Sequence, residues 1–177
     1  MPLIEYGHLE YGENKVQEAI TKWTEVKLAN PNIRLHLIGK LQTNKVKFAL
    51  KLFDYIHSVD TKKLAKKIAD EELKQNKKIK IFLQVNIGNE EQKSGINKDY
   101  LNEFYLYCKK LNLDIVGLMC IPPAEAKSEI YFKEMALLTK KLDLKELSMG
   151  MSADYIEAAK NSSTYLRIGS NIFGKRS

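Results

Sequence analysis

Two similar turns near the carboxyl end carry residue types that suit the binding of an anion. A short apolar run, residues 147–149, leads into a turn that contains Ser152, and a second run, residues 165–168, leads into Gly169 and Ser170. Small residues let an anion approach backbone N–H groups, while hydroxyl groups and helix amino termini supply donors and partial positive charge. The pair of turns predicts a phosphate-binding site, and two ordinary tight turns are the alternative.

The elements that would position these turns alternate between strands and helices along the chain. Seven predicted strands begin near Leu9, Arg34, Tyr55, Ile79, Ile115, Glu146 and Tyr165. Helical patterns follow them at residues 15–29, 42–50, 61–76, 99–111, 130–142 and 154–161. Such alternation predicts a buried parallel sheet with helices outside it. In eight-stranded βα barrels a phosphate site commonly follows strands seven and eight, which matches the position of the two turns.

The number of strands leaves two architectures open. A closed barrel of this kind needs eight strands, whereas an open doubly wound sheet can have seven. Residues 4–8 resemble the last turn of a helix capped by Gly7, and such a turn implies a helix before it. We therefore predict an α/β protein with a parallel (β/α)8 TIM-like barrel that lacks its first strand, formed by residues 1–177 as a single domain.

Composition and charge indicate a globular protein of the cytoplasm. The 177 residues are 44% hydrophobic and 29% charged, and the net charge is +7. The lysines are spread along the chain without a nucleic-acid-binding module, which favours a solvated basic surface over a nucleic-acid partner. Cys108 and Cys120 form neither a disulfide framework nor a zinc pattern. No apolar run is long enough to cross a membrane, and no signal peptide is recognisable.

Six segments in order resemble those of a known family. They are residues 11–18, 36–45, 93–95, 117–119, 148–152 and 167–174, with the sequences YGENKVQE, HLIGKLQTNK, KSG, GLM, SMGMS and RIGSNIFG. Each is short, but their common order and spacing resemble the pyridoxal-phosphate homeostasis family, also called YggS-like proteins. The resemblance covers nearly the whole chain. It implies the βα barrel of the alanine-racemase N-terminal domain, with pyridoxal 5′-phosphate at the carboxyl-terminal mouth.

The resemblance also implies a set of cofactor-binding residues. Ser152, Gly169 and Ser170 would hold the phosphate, and Arg167 would face the pyridine nitrogen. A guanidinium there disfavours protonation of that nitrogen, because like charges repel, and makes the ring a weaker electron sink. A surface salt bridge is the alternative role for Arg167.

Two further residues are assigned to the mouth of the barrel by the same resemblance. Asn14 would contact the cofactor ring, and His36 would line the mouth at a greater distance. The alternative for His36 is a hydrogen-bonded histidine of the core. The Lys-Ser-Gly segment at residues 93–95 is expected in a loop near the mouth, without an assigned role.

One departure from the family concerns the lysine that forms a Schiff base with the cofactor. In the family it lies on the first strand, and no such segment precedes Tyr11 here. Lys15 and Lys45 belong to other segments and do not replace it. We therefore expect weak cofactor binding without a covalent lysine adduct. We also expect lower stability than in full-length relatives, in a monomer or a weak dimer.

Function follows from the resemblance as an expectation with two alternatives. The first expectation is intracellular homeostasis of pyridoxal phosphate without established turnover, with pyridoxal-phosphate-dependent apo-enzymes as partners. An amino-acid racemase is the first alternative, but racemases need a second acid–base group that an added β-domain supplies. Another phosphate-ligand barrel enzyme is the second alternative. No paired carboxylates, metal cluster or Ser-His-Asp arrangement stands out in its favour.

Overall fold

The computed structural model describes residues 2–124 and 127–174. All strands pair in parallel in one sheet, which curls into a nearly closed barrel with helices between the strands. The strands are β1 (Glu10–Glu13), β2 (Arg34–Leu37), β3 (Tyr55–Val59), β4 (Lys80–Asn86), β5 (Ile96–Asn97), β6 (Asp114–Cys120), β7 (Glu146–Met151) and β8 (Tyr165–Arg167). The helices are α1 (Pro2–Glu5), α2 (Val16–Ala29), α3 (Val46–Leu52), α4 (Lys62–Gln75), α5 (Leu101–Lys110), α6 (Ser128–Lys141), α7 (Tyr155–Lys160) and α8 (Ser170–Phe173).

The predicted α/β barrel class is confirmed, and each of the seven predicted strands is present. Neighbours in the sheet are β1, β2, β3, β4, β6, β7 and β8, in that order. The two-residue β5 was not predicted, and it pairs with β4 outside this order. Within the described part of the chain, β1 pairs only with β2, and β8 pairs only with β7. No described helix is long and apolar enough to cross a bilayer.

The turn after α1 matches the helix end predicted around Gly7. Gly7 has a positive φ of 82°, and its N–H donates to the carbonyl of Ile4 at 2.9 Å. The N–H of His8 donates to the carbonyl of Leu3, also at 2.9 Å. These two bonds cap the last carbonyls of a helix in the way a left-handed glycine makes possible.

An apolar layer between the sheet and the helices forms the larger core. The strands contribute side chains such as Leu35, Ile56 and Ile81, and the helices contribute Trp23 and Phe132, all at most 3% exposed. Alternate residues of a strand point to opposite faces, so this outer layer takes one face of each strand. Its burial of apolar surface is the main source of stability.

The barrel interior is a second, separate cluster with a different composition. Tyr55, Phe82 and Met119 are its buried apolar members, and Val116 and Tyr165 pack against them. Buried histidine and serine side chains share this interior, as described below. The strands thus present apolar residues outward and a mixture of aromatic and polar residues inward.

Gly117 leaves no room for a side chain between β6 and the neighbouring strand. A Cβ atom added there would lie 2.0 Å from the carbonyl oxygen of Glu146, on the neighbouring β7. The pairing of β4 with β6 shifts register at the adjacent residues. Only glycine fits this backbone-to-backbone contact.

Candidate functional site

The turn after β7 is shaped by a glycine and an aspartate. Gly150 has a φ of 89°, and an added Cβ would lie 2.4 Å from the Cβ of Ala158. The N–H of Met151 donates to Asp154 Oδ1 at 2.7 Å, and the N–H of Asp154 donates to the Met151 carbonyl at 3.0 Å. These contacts hold the backbone of the turn and present Ser152 at its tip.

The turn after β8 lies directly beside Ser152. The Gly169 N–H donates to Ser152 Oγ at 3.3 Å, and Asn171 Nδ2 donates to the Ser152 carbonyl at 3.2 Å. A Cβ added at Gly169 would meet nothing within 4 Å, so the space in front of it is open. The N–H groups of Ser170 and Asn171 begin α8 and have no acceptor among the described residues. The two predicted turns therefore form one exposed cradle of hydrogen-bond donors, which fits a phosphate group.

Arg167 extends from β8 into the interior of the barrel. Its Nη1 donates to Ser148 Oγ at 2.7 Å, and its Nη2 donates to the carbonyl of Cys120 at 2.8 Å. Burial lowers the pKa of the guanidinium, while Cys120 and Asp154 oppose that shift. The alternative of a surface salt bridge does not describe this side chain, because both bonds are made to neutral groups inside the barrel.

His36 lies inside the barrel and does not line the mouth, contrary to the sequence expectation. It is 4% exposed, and its ring stacks on Tyr55 with the centroids 4.3 Å apart. Its Nε2 lies 2.6 Å from Glu10 Oε2, and its Nδ1 lies 3.0 Å from His57 Nε2. Burial lowers the pKa of His36, while the Glu10 carboxylate opposes that shift. The alternative of a hydrogen-bonded core histidine fits the structure, because the middle of β2 is enclosed by its neighbours.

Sequence reasoning missed His57 and Ser148, which complete the polar interior. His57 is 1% exposed, and its Nδ1 lies 2.8 Å from Ser148 Oγ. Burial holds the pKa of His57 well below its ordinary value, and the neighbouring His36 and Arg167 lower that pKa further. A polar residue at alternate positions of an apolar strand was the available signal, because such positions face the barrel interior.

Asn14 follows β1 and packs against the end of β2. A Cβ added at Gly39 would lie 2.2 Å from the Asn14 carbonyl oxygen, so the two backbones touch. The Gly39 carbonyl accepts a hydrogen bond from Ser58 Oγ at 2.7 Å. The half-buried side chain of Asn14 makes no hydrogen bond to the described residues. Its position is the carboxyl-terminal edge of the strands, the same edge as the cradle.

The Lys-Ser-Gly segment ties together the loops at this edge. Lys93 Nζ lies 2.6 Å from Glu90 Oε2 and donates to the Pro122 carbonyl at 3.2 Å. The N–H of Gly95 donates to Asp60 Oδ2 at 3.1 Å. The segment therefore joins the loop after β4 to the ends of β3 and β6, which is a structural role. Lys15, on the other hand, is exposed and pairs with Glu18 at 2.6 Å.

A cavity of about 670 Å³ lies elsewhere, between α6 and α7. Its rim contains four lysines: Lys133, Lys140, Lys145 and Lys160. The carboxyl ends of both helices open toward it, and lysines there complement the negative ends of the helix dipoles. The cavity therefore has a structural explanation. Among residues 2–124 and 127–174, no group of three or more histidines, cysteines or carboxylates could hold a metal ion.

The fold and the cradle define a class of protein, a parallel βα barrel that can hold an anionic group at its carboxyl-terminal edge. The sequence matches the family described as alanine racemase, N-terminal domain, over residues 1–177. The chain belongs to that family and, within it, to the pyridoxal phosphate homeostasis proteins.

Two relatives illustrate the match to the homeostasis proteins. The pyridoxal phosphate homeostasis protein of Aquifex aeolicus is 39% identical over 176 residues, which cover 94% of this chain and 76% of the relative. The protein of the same name from Escherichia coli K12 is 34% identical over 183 residues, which cover 98% and 78%. The chain thus spans about three quarters of the length of these relatives.

Solved structures agree with this assignment. PipY of Synechococcus elongatus PCC7942, solved with PLP bound, is 34% identical, and its TM-score is 0.87 over 97% of this chain and 84% of PipY. An alanine racemase of Clostridium difficile 630 is 17% identical, with a TM-score of 0.74 over 99% of this chain and 47% of the racemase. The second likeness concerns the fold alone.

Proposed function

We propose that this chain binds pyridoxal 5′-phosphate at the carboxyl-terminal edge of its barrel and serves the homeostasis of that cofactor in the cytoplasm, without established catalytic turnover. The observation that carries the proposal is the 3.3 Å contact between the Gly169 N–H and Ser152 Oγ, which joins two donor-bearing turns into one cradle. The names of the relatives and the PLP-bound PipY support it. We also propose that residues 1–177 form a single domain.

The cradle would hold the phosphate, and Arg167 would face the pyridine nitrogen. Ser152 can donate its hydroxyl proton to a phosphate oxygen, because its oxygen accepts from the Gly169 N–H and its proton remains available. The N–H groups of Ser170 and Asn171, which have no acceptor among the described residues, would donate to the anion, and Gly169, which has no side chain, would leave the space in front of them open. When bound, pyridoxal phosphate supplies an aldehyde and an electron-accepting ring. A guanidinium opposite the ring nitrogen keeps that nitrogen unprotonated.

The remaining proposed residues act at the side of the ring and beneath it. Asn14 would contact the ring from the end of β1, where its side-chain amide has no other partner in the described chain. His36 would act from inside the barrel through its hydrogen bonds. Pyridoxal-phosphate-dependent apo-enzymes are the partners we propose for a protein that releases rather than uses the cofactor, acting as a monomer or a weak dimer.

Equilibrium dialysis against pyridoxal phosphate and against pyridoxal tests this function. We expect pyridoxal to bind at least tenfold more weakly, because it lacks the dianion that the cradle holds. Ser152→Ala should weaken binding of the phosphate form about tenfold, the usual effect of one hydrogen bond to a charged group. The same substitution should leave the affinity for pyridoxal nearly unchanged.

Thr21→Ala is a matched control for Ser152→Ala. Thr21 is exposed on α2, and its hydroxyl donates only to the Gln17 carbonyl of its own helix. Equal affinity of the chain for pyridoxal and pyridoxal phosphate would refute the cradle. Equal losses in both variants would show that the Ser152 effect is not local.

A further inference from the structure

A continuous chain of side chains crosses the barrel interior from β8 to β1. Arg167 Nη1 lies 2.7 Å from Ser148 Oγ, which lies 2.8 Å from His57 Nδ1. His57 Nε2 lies 3.0 Å from His36 Nδ1, and His36 Nε2 lies 2.6 Å from Glu10 Oε2. Five strands each contribute one group, namely β8, β7, β3, β2 and β1. A permanent cation therefore stands at one end of the chain and a carboxylate at the other.

The donor–acceptor chemistry of these groups gives this chain of hydrogen bonds one direction. A guanidinium only donates, so Ser148 Oγ accepts from Arg167 and has its single proton left for His57 Nδ1. His57 then carries its proton on Nε2 and donates to His36 Nδ1. His36 in turn carries its proton on Nε2 and donates to Glu10. Each of the four bonds then joins one donor to one acceptor, and both histidines are neutral.

The opposite direction requires an additional proton. His57 would donate from Nδ1 to Ser148, whose hydroxyl proton would have no acceptor among the described groups. His36 would have to donate from both nitrogens, as an imidazolium. Burial and the neighbouring Arg34 disfavour this charge on His36, although Glu10 and Asp54 favour it. A buried hydroxyl without a partner also costs free energy.

We infer that Glu10, His36 and His57 are positioning residues for Arg167, which they hold through Ser148 in one orientation toward the carboxyl-terminal edge. The inference rests on the proposed function, in which Arg167 faces the cofactor ring. A long arginine side chain has many rotamers, and fixing one before the ligand arrives reduces the entropy lost on binding. Glu10 is the anchor of the chain, because its carboxylate also pairs with Arg34.

Nitrogen-15 NMR of the ligand-free protein tests the direction of the chain. The sequence contains three histidines, so each imidazole can be assigned, with the exposed His8 as a reference. At pH 7 we expect His36 and His57 to be neutral with the proton on Nε2. We also expect resolved Nη–H signals from a held Arg167. A proton on Nδ1 of His57, or on both nitrogens of either buried ring, would refute the inference.

Two substitutions test whether this chain of hydrogen bonds holds Arg167 in place. In the unaltered protein the His57 ring stacks on Phe82, with the centroids 4.2 Å apart. His57→Phe retains a ring at this position but removes both nitrogens. Glu10→Gln retains an acceptor but removes the charge. We expect the resolved Arg167 Nη–H signals to be lost in His57→Phe and broadened in Glu10→Gln. Affinity for pyridoxal phosphate should fall about tenfold and about threefold, respectively.

Glu18→Gln is the control, because Glu18 is an exposed carboxylate whose one ion pair within the described residues is with Lys15. It should change neither the Arg167 signals nor the affinity. Unchanged signals and affinity in Glu10→Gln would overturn the inference, even if His57→Phe fails to fold. If the unaltered protein binds no pyridoxal phosphate, the proposed function fails, and the Arg167 signals of the ligand-free variants still decide the positioning role.

Discussion

The two cores of this barrel differ in what holds them together. The outer layer contains side chains such as Ile56 and Phe132, packed between the sheet and the helices. The interior contains Tyr55 and Phe82 together with His57, Ser148 and other polar groups. Apolar packing has no preferred direction, so the stability of the outer layer depends mainly on the volume of its side chains. The interior depends on matched donors and acceptors, and the loss of one partner leaves another group buried and unpaired.

Phe132→Ala should have the largest effect on stability and little effect on the site. Phe132 is fully buried in the outer layer, so we expect a loss of about 3–5 kcal/mol in the free energy of unfolding. Urea unfolding measures the loss, and pyridoxal phosphate affinity of the folded fraction should not change. Leu137→Ala on the same helix, at a residue 68% exposed, should stay within about 0.5 kcal/mol. Similar losses in both variants would mean that the buried face of α6 contributes no more to stability than its exposed face.

Ser148→Ala should cost less stability but should impair the site. The change removes the acceptor of Arg167 and the donor to His57, and we expect a loss of about 1–3 kcal/mol. Affinity for pyridoxal phosphate should also fall. Thr139→Val is the matched change in the outer layer, where the hydroxyl donates to the Met135 carbonyl of its own helix. If Thr139→Val costs as much as Ser148→Ala, the contrast between the two cores is wrong.

The interior should make stability depend on pH in the weakly acidic range. The pKa of His57 in the folded protein lies well below its ordinary value of 6.5, so the unfolded chain binds the proton more readily. Stability contributed by neutral His57 is therefore complete above about pH 6.5. It decreases as the pH falls toward the folded-state pKa, by at most about 1.4 kcal/mol per pH unit for one group.

Urea titrations between pH 7.5 and 5 measure this slope. His57→Phe should make the curve flatter, whatever its effect on stability at neutral pH. His36, with its lowered pKa, should supply the slope that remains. A slope of the same size in His57→Phe would assign the whole dependence to other groups.

The cysteines should show the smallest effect, because they belong to the outer layer. Burial raises the pKa of both Cys108 and Cys120 to about 12, so neither forms the reactive thiolate at neutral pH. Iodoacetamide at pH 8 should leave the native protein unmodified, and it should alkylate both thiols in urea. Mass spectrometry reads the outcome, and rapid native labelling of Cys120 would indicate that β6 is open to solvent.

The outer layer was more predictable from sequence than the interior. All seven strands were predicted because buried parallel strands are apolar runs bounded by turn residues. The two-residue β5 was missed because its residues lie in a polar loop. The contacts of His57 were missed because His36 lies 21 residues and Ser148 lies 91 residues away in the sequence. Only the folded sheet brings these three side chains together.

The candidate site shows the same limit. The adjacency of Ser152 and Gly169 was predicted, because consecutive parallel strands end at one edge of the sheet. The depth of His36 in the barrel was not predicted. Spacing along a strand indicates which face a residue occupies, but not how far along the barrel axis a tilted strand places it. Its enclosure follows from contacts with Tyr55 and Glu10, on the two neighbouring strands.

Gly117 limits the genetic variation that this barrel can tolerate. Every missense change of its codon adds at least a methyl group, which would fall 2.0 Å from a backbone oxygen that cannot move without its strand. At Gly12, by comparison, the nearest obstacle is the flexible end of Ile38 at 3.2 Å. A saturation library selected for soluble protein should therefore retain alanine at position 12 and glycine alone at position 117.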